Sequence, residues 1–214
     1  MTSSTGREGS QIDLPEPNEG RFATPHGVQN TEGEGASAGV SVVLALGSNL
    51  GDREATLLAA VRAIADLDGV DLVAASPAYE SAAVKLDGVD TDAPEYLNAV
   101  VGIRYRGTPI ELLDAVNRIE ADHGRVRAER WGDRTLDIDV ITFGTLQQHD
   151  SRLTIPHPRA ADRDFVLAPW LDIDPDAEIP GVGRVADLLG TMPITVRRHA
   201  GAGAGAGAGA EETR

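Results

Sequence analysis

The 214-residue chain contains no cysteine. Disulfides, thiolate metal sites and a cysteine nucleophile are thereby excluded, and a reducing cytoplasm is the expected setting. Long apolar runs are also missing; none approaches the ~20 residues of a membrane-spanning helix. The opening MTSSTGREGSQIDLPEPNEG lacks the basic-then-apolar layout of a secretory signal. No G-x-x-x-x-G-K-[ST] occurs, so a P-loop kinase is ruled out, and GSNLGD at 47–52 is not G-x-G-x-x-G. It reads as a turn that opens a helix. Positive charge is scarce: the net charge is −15, and Lys85 is the only lysine. The first 39 residues carry −4 and residues 197–214 carry +1, so residues 40–196 hold the remaining −12. That acidity argues against binding long nucleic acid through its phosphates, yet leaves room for one small basic pocket.

What is present divides the chain into three. Residues 1–39 are rich in Gly, Ser, Thr, Glu and Pro with no apolar period, and are expected to be disordered. Residues 40–196 are expected to form one domain. Residues 197–214, with strict Gly/Ala alternation at 201–210, are expected to be a disordered tail. Within the domain, VSVVLAL predicts a buried strand. A helix capped by Asp52 follows, with Leu57, Leu58, Val61, Ile64 and Leu67 at helical spacing. Val70 to Tyr79 predicts a second strand, with Pro77 marking an edge or bulge. Residues 81–95 read as a loop and YLNAVVGIRYR as a third strand. TPIE is a capping box, with Thr108 as N-cap, Pro109 at the first helical position and Glu111 closing it. The helix it opens stops at Gly124. A polar loop, a further strand from Arg134 to Gly144, a helix of about two turns and a last short helix at VADLLG complete the pattern. Alternating strands and helices without a nucleotide fingerprint predict an α+β sandwich, with a mainly antiparallel sheet and helices outside it.

The strand RTLDIDVITFG carries the chemistry. Asp137 and Asp139 lie two apart, so they share one face. Their neighbours are continuously apolar, which predicts a strand covered on both faces. Two carboxylates there repel each other and lose hydration. A divalent cation such as Mg²⁺ removes that cost, being hard and held by one or two carboxylates plus substrate phosphates. Asp-x-Asp alone is a weak motif, and a solvated edge strand is the bland alternative. The loop before it holds Arg125, Arg127, Arg130 and Arg134, a basic cluster in an acidic chain. Cations beside paired carboxylates suit a polyphosphate bridged by metal, because guanidinium forks match phosphate oxygens. Arg152, His157 and Arg163 extend the patch, and Trp131 suits a cover over a planar ligand.

Four segments in this order, LALGSNLGD, EYLNAVV, GRVRAERWGDRTLDIDVITFG and LTIPHPRAADRDFVLAPW, resemble the 6-hydroxymethyl-7,8-dihydropterin pyrophosphokinase family. The likeness covers Val40 to about Gly190. It implies a ferredoxin-like three-layer α/β/α fold. It also implies transfer of the β,γ-pyrophosphoryl group of ATP to the pterin's hydroxymethyl oxygen, giving the pterin diphosphate and AMP in folate synthesis. By the same likeness Asp137 and Asp139 bind two Mg²⁺ ions, and Arg125, Arg127 and Arg134 are catalytic. Asn117, Glu120, Arg125, Arg134, Arg152, Thr154, His157 and Arg163 form the ATP site. Ser81, Val84, Tyr96, Asn98, Trp131 and Phe165 form the pterin site, with the ring between Tyr96 and Phe165. The implied partners are these small molecules, with no nucleic acid or membrane, and the implied state is a cytoplasmic monomer. Asp133 stands where the family usually has Pro, and the arginine loop is one residue shorter than in some members, which leaves the roles of Arg127 and Arg130 interchangeable. A non-catalytic nucleotide-binding module and a nucleotidyl transferase acting on nucleic acid are the rival readings. The intact Asp pair with its Trp–Arg set disfavours the first, and the acidic charge disfavours the second.

Overall fold

A computed structural model describes residues 39–85, 88–90, 94–124 and 135–200, with the backbone alone at 83–85 and 88–90. In chain order the elements are β1 (Val40–Ser48), α1 (Arg53–Ala65), β2 (Val70–Ala75), β3 (Tyr79–Ser81), β4 (Ala83–Lys85), β5 (Gly88–Asp90), β6 (Tyr96–Tyr105), α2 (Pro109–Asp122), β7 (Asp137–Phe143), β8 (Gln148–His149), β9 (Thr154–Ile155), α3 (Asp164–Ile173), β10 (Glu178–Ile179), β11 (Gly183–Arg184), α4 (Val185–Gly190) and β12 (Arg197–Arg198). Both long N-terminal caps form as their sequences require. Asp52 accepts from the Ala55 amide at 3.0 Å. At α2, Thr108 Oγ1 accepts from the Glu111 amide, while Glu111 accepts from the Thr108 amide at 2.8 Å. Those Thr108 donors hold the Glu111 carboxyl below the usual carboxylate range.

The sheet runs β12–β3–β6–β1–β7, with β2 also paired to β6, and every pairing is antiparallel. The core strands thus lie in the order β7–β1–β6–β2 while the chain reads β1-α1-β2-β6-α2-β7. This is the arrangement expected of a ferredoxin-like sheet. One face carries Val42, Leu44 and Leu46 of β1 against Leu57, Ala60 and Ile64 of α1 and Leu112, Val116 and Ile119 of α2. The other carries Val43, Val100 and Ile141 against Val166, Leu167 and Trp170 of α3 and Val185 of α4. Helices on both faces explain why β1 and β6 are continuously apolar rather than alternating.

Five expectations are adjusted. The strand expected over Val70–Tyr79 is two strands, because Pro77 has no amide to donate and interrupts the ladder on β6. Residues 81–95, expected as a loop, contain the β4–β5 hairpin. β1 runs through Gly47 and Ser48, so the turn within GSNLGD begins only at Asn49. Leu58 is 39% exposed, since α1 buries the stripe of Leu57, Ala60 and Ile64 beside it. The expected domain boundary at 196 also falls short of the sheet: Arg197–Arg198 form β12, inside the stretch read as a disordered tail.

Candidate active site

β7 places the two carboxylates. Among the described residues it pairs with β1 alone; strand alternation puts Ile138 and Val140 on the α1–α2 face and Ile141 on the α3 face, and a register shift opposite Val43 and Leu44 returns Phe143 to the α1–α2 face. Asp137, Asp139 and Ile141 therefore share the α3 side. Both faces of β7 are covered, as expected, yet among the described residues no further strand pairs with its lateral edge. Asp139 keeps a third of its side chain exposed there, which eases the desolvation that a fully enclosed pair would suffer. Arg163, at the start of α3, donates to Asp139 Oδ2 at 3.1 Å. His157 Nε2 lies 3.7 Å from the same oxygen. Burial holds the His157 imidazole below the ordinary histidine range; Asp139 pulls it back up and Arg163 pushes it further down.

The open edge of β7 has a consequence for α2. An edge amide pointing away from β1 finds no ladder partner, and leaving it buried and unpaired is costly. Glu120, 1% exposed, supplies the acceptor: its Oε1 takes the Ile138 amide at 2.8 Å. Ile138 is the residue between the two aspartates, so Glu120 acts on the site through the backbone that carries them. Asp114, Asn117 and Glu120 follow one stripe of α2 at three-residue spacing. Arg152 pairs with Asp114 at the far end of that stripe. Thr154 on β9 bonds His149 at 3.1 Å, and the His157 amide bonds the Ile141 carbonyl at 2.9 Å. The expected ATP residues Asn117, Glu120, Arg152, Thr154, His157 and Arg163 thus gather around β7 and its outer edge.

The expected pterin residues lie on the same sheet face. Antiparallel register sets Asp137 opposite Gly47, Gly47 opposite Asn98, and Asn98 opposite Tyr79. Ser81 faces Tyr96 one row further on. Asn98 is 5% exposed, and its Nδ2 donates to Ser81 Oγ at 2.9 Å and to the Tyr79 carbonyl at 3.3 Å. That fixes the amide with Oδ1 toward Gly47, where an added Cβ would sit 3.3 Å from it and 3.8 Å from the Tyr96 ring. Glycine therefore keeps a passage open between the carboxylates and the asparagine. Phe165, in the first turn of α3, is half-buried against the α3-side core. The Arg163 guanidinium lies 5.4 Å from its ring centroid, a cation–π distance. Among the described residues the one ring–ring pair is Tyr105–Phe143, so Tyr96 and Phe165 do not stack on each other. A pocket of about 390 Å³ opens beside the start of β6, lined by Asn49, Leu50, Gly51, Arg53, Pro94 and Glu95.

Arg125, Arg127, Arg130, Trp131, Asp133 and Arg134 lie outside the described residues, as does the Val84 side chain. Two contributors escape the sequence reading. Gly47 stands within GSNLGD, and its role shows only in the register. Tyr79 donates to Asp172 of α3 at 2.7 Å, and burial followed by that carboxylate raises its phenol above the usual tyrosine range. No signal in the linear sequence connects residues 93 positions apart.

Residues 43–175 match the sequence profile of the family described as 7,8-dihydro-6-hydroxymethylpterin-pyrophosphokinase. The chain is similar to the 2-amino-4-hydroxy-6-hydroxymethyldihydropteridine pyrophosphokinase of Haemophilus influenzae, 39% identical over 150 residues, covering 70% of this chain and 91% of that one. It is similar also to the Mycobacterium leprae protein of the same name, 44% identical over 170 residues, covering 73% and 85%. Among solved structures, a Plasmodium falciparum HPPK-DHPS wild type with pteroate superposes with a TM-score of 0.54 at 13% identity, covering 71% of this chain and 42% of that one. An HPPK-DHPS in complex with substrates gives 0.53, also at 13%, covering 72% and 43%. The chain spans less than half the length of those two solved chains, and at such identity the likeness is one of fold.

Proposed function

The chain belongs to the 7,8-dihydro-6-hydroxymethylpterin-pyrophosphokinase family, and on that premise we propose how its own residues perform the reaction. It transfers the β,γ-pyrophosphoryl group of ATP to 6-hydroxymethyl-7,8-dihydropterin, a step of folate biosynthesis. The hydroxymethyl oxygen bonds to the β-phosphorus as the bond from that phosphorus to the oxygen bridging the α-phosphate breaks. AMP leaves.

The observation that carries this reading is the row Asp137–Gly47–Asn98. Strands are ~4.8 Å apart, so the carboxylate strand and the amide that reads the ring stand roughly 10 Å apart across one glycine. That span accommodates a hydroxymethyl arm between a pterin held at Asn98 and a phosphate chain held at β7. The ring rests between Tyr96 and Phe165, with Asn98 Oδ1 as acceptor for its polar edge and Ser81 fixing the asparagine. Offset aromatic contacts of this kind are worth ~0.5–1.5 kcal/mol beyond area burial. The helix stripe at Asn117, with Arg152, Thr154 and His157, receives the nucleotide. Arg163 binds its phosphates, and Arg125, Arg127 and Arg134 extend that charge.

Two carboxylates on one face, across from Gly47 and Ala45 of β1, suit a hard cation in addition to the Arg163 contact on Asp139. Asp137 and Asp139 would hold Mg²⁺, in the family's manner two ions, which supply charge neutralisation on the transferring phosphates. Phosphoryl transfer of this type needs positioning and electrostatic stabilisation more than covalent help. Among the described residues no helix is long and apolar enough to cross a membrane, and we place the activity in the cytoplasm. The test is incubation with Mg·ATP and the hydroxymethyl dihydropterin, following nucleotide products. Pterin-dependent AMP is the expected result; ADP, or no product, overturns the reading.

A further inference from the structure

The residues just before three ring-site residues are acidic. Glu80 precedes Ser81, Glu95 precedes Tyr96 and Asp164 precedes Phe165. All three carboxylates converge on one short segment near the end of the described chain. Thr195 donates its hydroxyl to Asp164 at 2.8 Å, and its amide bonds the same oxygen. Arg197 forks onto Glu95, with Nη1 and Nη2 at 3.1 and 2.8 Å, and Nη2 also reaches Glu80 at 2.6 Å. His199 Nδ1 is 2.9 Å from Glu80, and its amide bonds the Ala78 carbonyl at 2.8 Å. Arg198 fills the gap between them: Nε donates to the Tyr79 hydroxyl at 3.1 Å, and the guanidinium pairs with Asp172 of α3. β12 adds the backbone register, Arg197 opposite Glu80 and Arg198 opposite Tyr79.

We propose that Thr195–His199 is a strap that positions the ring-binding end of the site, with Arg197 and Thr195 as its positioning residues. The inference rests on the pterin site proposed above. Ser81 and Tyr96 flank a loop whose two ends are joined by the short β3–β6 ladder and by the Asn98–Ser81 bond. Arg197 ties both ends through one guanidinium, and Arg53 reinforces the tie by donating to the Glu95 carbonyl at 2.6 Å. Thr195 does the same for the first turn of α3, where Arg163, the N-cap residue, offers no side-chain cap. Fixing those three backbones fixes the separation of Tyr96 and Phe165, on which the width of the ring slot depends. A tail that only anchored the chain end would need one such contact, and would show no bias toward the neighbours of ring-site residues. The phosphate end around β7 receives nothing from this segment among the described contacts.

The test uses the full chain, pre-saturated with a non-hydrolysable ATP analogue and Mg²⁺ and titrated with the pterin. Arg197→Ala is expected to weaken pterin binding about three- to fivefold, a span typical of a partly exposed but forked ion pair. Arg197→Lys should recover part of the loss, and Thr195→Val should weaken the pterin by a similar factor. Affinity for the analogue alone should stay at the wild-type value, and KM for the pterin should rise with kcat little changed. Amide exchange at Ser81 and Tyr96 should accelerate in Arg197→Ala, with exchange on β7 unchanged. Wild-type pterin affinity in Arg197→Ala, or equal losses for pterin and nucleotide, overturns the strap while leaving the proposed activity standing. Failure of the wild-type chain to bind pterin overturns that activity and the strap with it.

Discussion

The two ends proposed for the site, one for the phosphates and one for the ring, are built on opposite plans. At the phosphate end, the chemistry stands on one strand and its flanks: two carboxylates on β7, Arg163 and His157 on Asp139, and Glu120 on the backbone between the pair. At the ring end, each part comes from a different element. Asn98 of β6 bonds Ser81 of β3, and Tyr79 of β3 bonds Asp172 of α3. β12 fastens β3, residue 95 and α3 together. The difference suits what each end is proposed to recognise. A phosphate chain is recognised by charge, which acts over distance and tolerates solvent, so two part-exposed carboxylates on one strand suffice. A flat ring is recognised by shape, which requires a slot of fixed width and hence groups held by buried bonds.

The sharpest way to break this comparison is at the charge end. Asp139→Asn should cut turnover by about 10²- to 10³-fold or more, the scale of losing one preorganised electrostatic stabiliser. Pterin affinity in the absence of nucleotide should be untouched. The fold should persist, because asparagine can still accept from Arg163. Near-wild-type turnover at saturating Mg²⁺ would falsify the metal assignment.

Glu120→Ala ranks next. It leaves the Ile138 amide buried without its acceptor, a cost of ~1–3 kcal/mol, to be read as a lowered midpoint in urea unfolding. Turnover should fall with it, since the strand carrying the carboxylates loses its outer support. A variant with wild-type stability would show that water or another group replaces the carboxylate.

At the ring end, Phe165→Ala removes one wall of the slot. Pterin affinity should drop about tenfold, at ~1.4 kcal/mol per decade, with the nucleotide analogue bound as in wild type. If nucleotide binding fell as far as it does in Arg163→Ala, Phe165 would belong to the phosphate end and the two-plan comparison would collapse.

The smallest effect concerns pH. The fork from Arg197 holds the Glu95 carboxyl below its ordinary range. A depressed carboxylate contributes stability above its unfolded value and loses it as pH falls through the lowered folded value. Wild type should therefore lose its stability advantage over Arg197→Ala as pH is taken below the ordinary glutamate range. An advantage that persists into strong acid would mean that Arg197 acts by packing alone.

These contrasts match what could be read from the linear sequence. Asp137 and Asp139 were legible because strand period two is local, and the arginines before them stand out against an acidic chain. The caps at Asp52 and Thr108 were legible for the same reason. The split of Val70–Tyr79 into two strands was half legible, since Pro77 announced an irregularity without its form. Gly47 was not legible as a site residue, because its value depends on facing Asp137 on one side and Asn98 on the other. Of the strap, residues 197–199 were read as the start of a disordered tail. Its residues carry no hydrophobic period, and they are held by polar partners at least 26 positions away.

The sequence by itself determined the layers, the carboxylate pair, the cation-rich stretch that precedes it in the chain and the family. All of these rest on patterns a few residues long: apolar periodicity, capping chemistry and one contiguous motif. Only the tertiary structure decided that β7 lies at an edge with Glu120 completing its backbone, that a single glycine separates the carboxylates from Asn98, and that Thr195–His199 closes the ring end. Each of those is a pairing between strands or helices distant in the chain. Sheet order and register emerge from burying two apolar faces at once, a condition that no local stretch of residues states.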